Sequence, residues 1–116
     1  KLGTFFLFFG GSMTIKVLNE NNFDNETNTG TTLVDFYADW CGPCRMLSPI
    51  LESVADSLAG EINVVKVDVD KSPALARRFN IKGIPTLLVV KDGFVVNRKT
   101  GMGTREQLLE FVNKGV

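Results

Sequence analysis

The residues best suited to chemistry are the chain's only two cysteines, Cys41 and Cys44, in the run Trp40-Cys41-Gly42-Pro43-Cys44. A disulfide between such near neighbours closes a very small loop, so it removes little entropy from the unfolded chain and stabilises a fold only weakly. A thiolate attacks disulfides, and a second thiol one helical turn away can resolve the mixed disulfide that forms. The spacing therefore predicts a redox-active dithiol; two incidental helix cysteines are the alternative.

Cys41 is expected to lie at the N-terminus of a helix, because apolar residues recur at helical spacing over residues 47–58. Unpaired backbone N–H groups and the macrodipole at that end stabilise the negative charge of a thiolate. Gly42 lets the backbone turn tightly, and Pro43 presets a helical φ without losing a needed N–H. We therefore predict that Cys41 attacks the substrate and that Cys44 attacks the mixed disulfide.

The composition limits the kind of protein. With 116 residues, 44% of them hydrophobic, the chain suits one compact domain. Basic and acidic residues both number 13, so no footprint for nucleic acid or an anionic membrane is visible. Histidine is absent, which excludes Cys-His and Ser-His nucleophile pairs and most transition-metal sites. One close cysteine pair fits a reducing compartment, so we expect a cytoplasmic protein without metal or membrane anchor.

Residues 1–12 differ in composition from the rest of the chain, since they hold four of its nine phenylalanines. The first residue is not methionine, and the run Gly10-Gly11-Ser12 precedes Met13. We interpret residues 1–12 as a non-native leader or tag remnant and residues 13–116 as the domain; a clipped signal-peptide core is the alternative. The aromatic side chains of residues 1–12 are expected to fill an apolar groove on this or a neighbouring molecule.

Strands and helices are expected to alternate along the domain. Five strands are predicted, at residues 14–18, 32–38, 62–69, 86–90 and 94–98. Helices are predicted within residues 19–30, from the cysteine motif to Gly60, after Ser72 as a capping residue, and after the capping box 104–107. Crossover helices favour parallel strands, whereas the pair Asp92-Gly93 favours an antiparallel hairpin. The sequence thus predicts a mixed sheet between helices.

Four separated motifs together resemble the thioredoxin family. They are, in order, Val34-Asp35-Phe36, Trp40-Cys41-Gly42-Pro43-Cys44, Gly83-Ile84-Pro85-Thr86 and Lys91-Asp92-Gly93. The resemblance covers residues 13–116 and implies an α/β protein with the thioredoxin fold, a three-layer α/β/α arrangement in which four helices flank a central mixed five-stranded sheet. It also implies a thiol–disulfide oxidoreductase without a cofactor, which reduces protein disulfides and is recharged by a thioredoxin reductase.

The resemblance implies a proton-transfer role for Asp35. This carboxyl lies in an apolar run whose two faces should both be covered, and a buried carboxyl holds its proton more tightly. The matching family aspartate assists the second cysteine, so Asp35 becomes the expected general acid/base for Cys44. An edge-strand aspartate facing water is the alternative. Lys66 matches a family lysine that modulates this aspartate, although an ordinary solvated strand lysine fits the sequence equally.

Pro85 is expected to follow a cis peptide bond and to face the cysteines, because the family's proline does so. An ordinary trans proline at the start of a strand is the alternative. Both readings place Pro85 next to the predicted strand 86–90.

The resemblance further implies an apolar groove that holds an exposed or unfolded substrate segment through backbone hydrogen bonds. Trp40 as a core filler is the alternative for that residue. Met102 and Tyr37 depart from the family pattern, which often has a small residue and a tryptophan at these places. The implied substrate-binding residues are Trp40, Gly42, Pro43, Ile84, Thr100, Gly101 and Met102.

Two other functions stay open at this point. An oxidising or isomerising relative would differ in reduction potential, and a non-catalytic binding subunit would keep its activity after both cysteines were replaced by serine. The Gly-Pro pair between the cysteines favours a reductant within the family. The expected partners are disulfide-containing proteins and a thioredoxin reductase. The chain is expected to be a monomer unless its N-terminal aromatic segment mediates association.

Overall fold

The protein is described here by a computed structural model that covers residues 15–115. The strands are β1 (Lys16–Leu18), β2 (Thr31–Tyr37), β3 (Asn63–Asp68), β4 (Thr86–Lys91) and β5 (Phe94–Thr100). The helices are α1 (Phe23–Thr27), α2 (Gly42–Ser57), α3 (Pro73–Arg78) and α4 (Arg105–Gly115). The expected leader and its aromatic contacts lie outside the described residues. Between residues 15 and 115, no helix has both the length and the apolar composition needed to cross a bilayer.

The five strands form one mixed sheet in the order β1-β3-β2-β4-β5. Strand β3 is parallel to both β1 and β2, and β4 is antiparallel to β2 and β5. Helix α1 connects β1 to β2, and helix α2 connects β2 to β3. The predicted hairpin is confirmed, since Asp92 and Gly93 have φ values of 51° and 89° and join β4 to β5. Strand β2 therefore lies at the centre of the sheet, and the cysteine motif follows its C-terminal end.

Each face of the sheet is covered by helices, which gives the predicted α/β/α layers. On one face, Phe23 and Leu75 from α1 and α3 pack with buried residues of the strands. On the other face, Leu47, Leu51 and Val54 from α2 and Leu108, Phe111 and Val112 from α4 pack against Leu33, Leu87 and Val89. Side chains alternate between the faces along a strand, so Asp35, two residues after Leu33, points toward α2.

The two predicted helix starts differ in how they are capped. The capping box of α4 is confirmed: Gln107 N donates to Thr104 Oγ1 (3.1 Å), and Thr104 N donates to Gln107 Oε1 (2.9 Å). Ser72 does occupy the N-cap position of α3, but the prediction that its side chain caps the helix is wrong. The Ala74 N–H donates instead to Glu20 Oε2 at 2.8 Å. A carboxylate brought by the fold therefore satisfies the donor that the local serine leaves free.

Helix α2 ends earlier than the sequence indicated. Its last residue is Ser57, with Leu58 as the C-cap, and the predicted end at Gly60 lies two residues beyond that cap. The Glu61 and Ile62 amides both donate to the Leu58 carbonyl oxygen, and Gly60 has a φ of 87°. Glycine adopts this left-handed conformation without steric cost, so Gly60 serves the turn that follows the helix.

Thr32→Val is expected to stabilise the fold by about 1 kcal/mol, because a buried hydroxyl without a partner is disfavoured and valine has the same shape. Thr32 is fully buried in β2, and its Oγ1 has no hydrogen-bond partner among the described residues. The measurement is the free energy of unfolding in denaturant. Thr27→Val is the matched control, since the buried Thr27 Oγ1 donates to the Phe23 carbonyl at 2.9 Å and should not gain stability. Destabilisation by Thr32→Val would contradict this account.

Candidate active site

The two cysteines lie where β2 passes into α2, and they are bonded to each other. Cys41 is the N-cap residue of α2, with an extended backbone conformation (φ −86°, ψ 111°), and Cys44 lies in the first turn. Their Cα atoms are 5.2 Å apart. The Cys44 N–H donates to Cys41 Sγ at 3.2 Å, so the helix end directs an N–H at the sulfur predicted to carry negative charge. The predicted helix-terminal position of Cys41 is confirmed.

Gly42 and Pro43 form the first turn between the cysteines. Pro43 is exposed in the first turn of the helix, where its missing N–H removes no hydrogen bond. The reason expected for Gly42 is wrong: its φ lies outside the left-handed region, and an added Cβ would have no described atom within 4 Å. Helix formation therefore does not require glycine at position 42. What glycine does provide there is open space beside the disulfide.

The loop before β4 brings residues from far along the chain to the cysteines. The Ile84–Pro85 peptide bond is cis, as the resemblance implied, and Pro85 is buried. The Ile84 carbonyl oxygen lies 3.9 Å from Cys41 Sγ, and the Ile84 side chain packs on the buried cysteine pair. The Pro85 carbonyl accepts a hydrogen bond from Gly101 N at 2.8 Å. These contacts connect the cysteine motif, the proline loop and the 100–102 turn.

A shallow apolar groove lies beside the disulfide. Trp40 is 67% exposed, so the alternative that it fills the core is wrong. Its Nε1 donates to Asp70 Oδ2 at 2.8 Å, which orients the ring while leaving a face open to solvent. A cavity of about 160 Å³ is lined by Trp40, Val69, Ala76, Ile81, Lys82 and Ile84.

The 100–102 turn lies next to this groove but does not line the cavity. Thr100 and Met102 are both exposed, and Thr100 Oγ1 is 3.3 Å from Thr86 Oγ1. Of the predicted substrate-binding residues, Trp40 and Ile84 line the cavity. Gly101 is hydrogen-bonded to the carbonyl oxygen of Pro85, which follows Ile84 in the chain. Asp70, which holds Trp40, is a site residue that was not predicted, because no signal in its local sequence points to that contact.

Asp35 is buried in the middle of β2, with 1% of its surface exposed. Its neighbours across the sheet are Lys66 on β3 and Leu87 on β4. Neither carboxyl oxygen has a hydrogen-bond partner among the described residues. Burial raises the pKa of Asp35 from 3.8 to about 7, and the positive charge of Lys66 acts in the opposite direction. The alternative that Asp35 lies on an edge strand and faces water is therefore wrong.

A second cavity links Cys44 with the neighbourhood of Asp35. It has a volume of about 270 Å³ and is lined by Tyr37, Ala38, Asp39, Cys44, Arg45, Ser48 and Lys66. Lys66 is half-buried, and its Nζ lies 4.2 Å from the centroid of the Tyr37 ring. Asp35, Tyr37 and Lys66 share the α2 face of the sheet, because register and alternation place them on the same side. Cys44 thus faces a partly enclosed space beside a buried acid and a cation.

This arrangement suits thiol–disulfide exchange more than any metal-based chemistry. Within residues 15–115, no group of three or more histidine, cysteine, aspartate or glutamate side chains is placed to hold a metal ion. A disulfide at a helix N-terminus, an adjacent apolar groove and a proton-holding carboxyl behind it are the parts that dithiol exchange needs.

Comparison with known proteins agrees with the geometry. The family model described as Thioredoxin matches residues 14–114. A protein named Thioredoxin from Staphylococcus saprophyticus is 43% identical over 102 residues, which cover 88% of this chain and 98% of that protein. A protein named Thioredoxin from Bacillus subtilis is 42% identical over the same shares of the two chains. One from Staphylococcus aureus is 40% identical over 102 residues, again 88% of this chain and 98% of that protein.

The family match spans the sheet, the four helices and the cysteine motif, so it covers all the elements that form the site. Together with the disulfide-bonded pair Cys41–Cys44, it identifies a thiol–disulfide oxidoreductase that reduces protein disulfides. The chain belongs to the thioredoxin family.

Proposed function

We propose that Cys41 is the attacking thiol of this reductase, that Cys44 is the resolving thiol, and that Asp35 moves the proton of Cys44. One observation carries the proposal: Cys41 is the N-cap of α2, while Cys44 lies one turn inside and lines the cavity beside the buried Asp35. The helix end favours the anion at Cys41, and the buried carboxyl serves the thiol behind it.

In the first step, the Cys41 thiolate attacks one sulfur of a substrate disulfide. The Cys41–substrate bond forms as the substrate S–S bond breaks, and the leaving substrate thiolate takes up a proton. The Cys44 N–H that donates to Cys41 Sγ stabilises the attacking anion. The product is a mixed disulfide between Cys41 and the substrate, in which the Cys41 sulfur is oxidised, the leaving substrate sulfur is reduced and Cys44 is still a thiol.

In the second step, the Asp35 carboxylate accepts the proton of Cys44, and the new thiolate attacks Cys41 Sγ. The Cys41–Cys44 bond forms, the bond from Cys41 to the substrate breaks, and the second substrate sulfur leaves with the electron pair and is protonated. The substrate has then gained two electrons, and the enzyme is in the disulfide form of the present structure. A carboxyl with a pKa of about 7 is suited to accept and return a proton at neutral pH.

Substrate enters as an exposed or unfolded segment in the groove between Trp40 and Ile84. The groove is shallow and mainly apolar, which suits recognition of backbone and small apolar surface more than of a particular side chain. The open space at Gly42 supports close approach of the segment to Cys41. Further substrate contacts lie outside this lining, at Pro85 and Gly101, which the Gly101 N–H joins by its hydrogen bond to the Pro85 carbonyl, and at Thr100, Pro43 and Met102.

Lys66 contributes a positive charge beside Asp35 in this proposal, and Pro85 sets the wall facing the cysteines. A thioredoxin reductase returns two electrons to the Cys41–Cys44 disulfide.

The working compartment is the cytosol, because a single close cysteine pair in an otherwise thiol-free chain fits a reducing environment. The domain acts as a monomer, which the cover of helices over both sheet faces supports.

Cys44→Ser is expected to stop the reaction at the mixed disulfide, because the hydroxyl cannot attack Cys41 Sγ. The variant should accumulate a covalent adduct with a protein-disulfide substrate that is visible by non-reducing electrophoresis and intact mass, whereas wild type passes through it quickly. Cys41→Ser is the matched control and should form little adduct. If the adduct accumulates on Cys44 in the Cys41→Ser variant instead, the two cysteines have the opposite roles and the proposal fails.

A further inference from the structure

The Lys66 side chain is held by an aromatic ring and not by a carboxylate. Its Nζ lies 4.2 Å from the centroid of Tyr37, within the range of a cation–π contact. Within residues 15–115, Lys66 takes part in no ion pair at 4.0 Å or less. The contact sits on the wall of the cavity that also contains Cys44. Because a lysine stem has several freely rotating bonds, a fixed position for its ammonium needs such a partner.

Asp35 is a group on which this ammonium acts, since the positive charge of Lys66 lowers its pKa against the effect of burial. It is the neighbour of Lys66 across the sheet, it is fully buried, and its oxygens have no hydrogen-bond partner in residues 15–115. Strand β4 contributes only the apolar Leu87 at this register. A carboxylate in this place can be stabilised only by nearby charge, so the position of Lys66 decides how readily Asp35 ionises.

The other titratable groups around the cavity do not replace Lys66. Burial, and then the carboxylates of Asp68, Asp39 and Asp35, raise the pKa of Tyr37, so its ring is a neutral phenol at working pH. From α2, Arg45 lines the cavity but one of its guanidinium nitrogens donates to the Asp39 carbonyl oxygen at 2.8 Å. The remaining titratable side chains on the wall are Cys44, which is disulfide-bonded, and Asp39, which is acidic and cannot supply a positive charge. Lys66 is thus the cation placed to act on Asp35.

We propose that Tyr37 is a positioning residue: its ring holds the Lys66 ammonium in the cavity, and this keeps a positive charge beside Asp35 where Cys44 gives up its proton. The inference rests on the proposed role of Asp35 and adds the residue that tunes it. When Asp35 is ionised, the fixed ammonium stabilises it. Without the ring, the ammonium would extend into water, where its charge is screened and its attraction for the carboxylate falls.

The test is a titration of the Asp35 carboxyl by NMR in the oxidised full chain, in which neither cysteine titrates. Tyr37→Leu should raise the measured pKa of Asp35 by about 0.5 unit, because the cation is released. Tyr37→Phe keeps the ring and should leave that pKa within about 0.2 unit of wild type. If the leucine variant does not fold, Tyr37→Met provides a larger apolar side chain without a ring.

The direction of the shift separates positioning from packing. If Tyr37 only filled space, a smaller side chain would admit water, and the pKa of Asp35 would fall because its burial is relieved. A fall, or no change, in the leucine variant would overturn the inference, as would a phenylalanine variant that behaves like leucine.

A double-mutant cycle checks that the effect passes through Lys66. In a Lys66→Met background, Tyr37→Leu should no longer raise the pKa of Asp35; an undiminished rise there would overturn the inference. The proposed function has a separate test, the pH–rate profile of Asp35→Asn. If that profile matched wild type, the role of Asp35 would fail while the titration result stood. If only the titration failed, the role assigned to Tyr37 would fail alone.

Discussion

Cys41→Ser should lower the rate of protein-disulfide reduction by roughly a thousandfold or more, down to the uncatalysed background. A serine hydroxyl is not ionised near neutral pH, and the helix end that stabilises a thiolate cannot create an alkoxide. Cys44 cannot take over, because it lies in the first turn of the helix and lines the inner cavity, whereas Cys41 is the N-cap residue; burial does not distinguish the two, since each is 4% exposed. The measurement is the rate of substrate thiol release with a dithiol as the electron source.

The unfolding transition of the same variant is the internal control. Replacing one cysteine removes a disulfide that closes only a small loop, so the fold should survive and the loss of activity should not reflect unfolding. A variant that remained folded and retained more than about a tenth of the wild-type rate would show that Cys41 is not the attacking group.

Asp35→Asn should remove a large pH dependence of stability. In the folded protein the pKa of Asp35 is about 7, against 3.8 for the free side chain, so between these values the folded state retains a proton that the unfolded state releases. The contribution of Asp35 to the stability of wild type is therefore greatest below about pH 4 and falls as the pH rises to about 7, by about 4 kcal/mol in total. Asparagine cannot ionise, so the corresponding part of the slope disappears.

The measurement is denaturant unfolding of wild type and Asp35→Asn at a series of pH values from 4 to 9, with the disulfide intact. The two stability curves should diverge as the pH rises from 4 to about 7 and then stay a constant distance apart, with the asparagine variant the more stable near pH 8. Parallel curves would mean that Asp35 ionises equally easily in the folded and unfolded states. In that case its burial would not control its protonation, and its proposed proton transfer would lose its physical basis.

The sequence was sufficient for the fold and for the chemistry of the cysteines because these depend on local patterns. Strand β2 has the apolar residues Leu33, Val34, Phe36 and Tyr37 in close succession, and such a run is expected at the centre of a sheet covered on both faces. The same pattern predicts that Asp35, which lies within the run, is buried. The capping box at Thr104 was predictable because its two partners lie three residues apart, and the Asp92-Gly93 turn because these residue types tolerate a positive φ. The hydrogen bonds between Asp92 and Gly30, 62 residues apart, were not predictable.

The features that the sequence could not supply are side-chain contacts between distant segments. Glu20 caps α3 across a separation of 54 residues, and Asp70 holds Trp40 across 30. The local sequence around Glu20 or Asp70 does not indicate which distant residue the carboxylate contacts, since acidic surface residues occur throughout the chain. The contact of Lys66 with Tyr37 requires the register between β2 and β3, which sequence periodicity does not fix.

The hydrogen bond from Trp40 to Asp70 has a practical consequence for observing the protein at work. Trp40 is the chain's one tryptophan, and its ring is held at the rim of the groove with most of its surface in water. All indole emission therefore originates next to Cys41. A segment that occupies the groove must displace water from that ring, and a change at the neighbouring sulfur alters its surroundings. Intrinsic fluorescence is thus an unlabelled optical signal from the reaction centre itself.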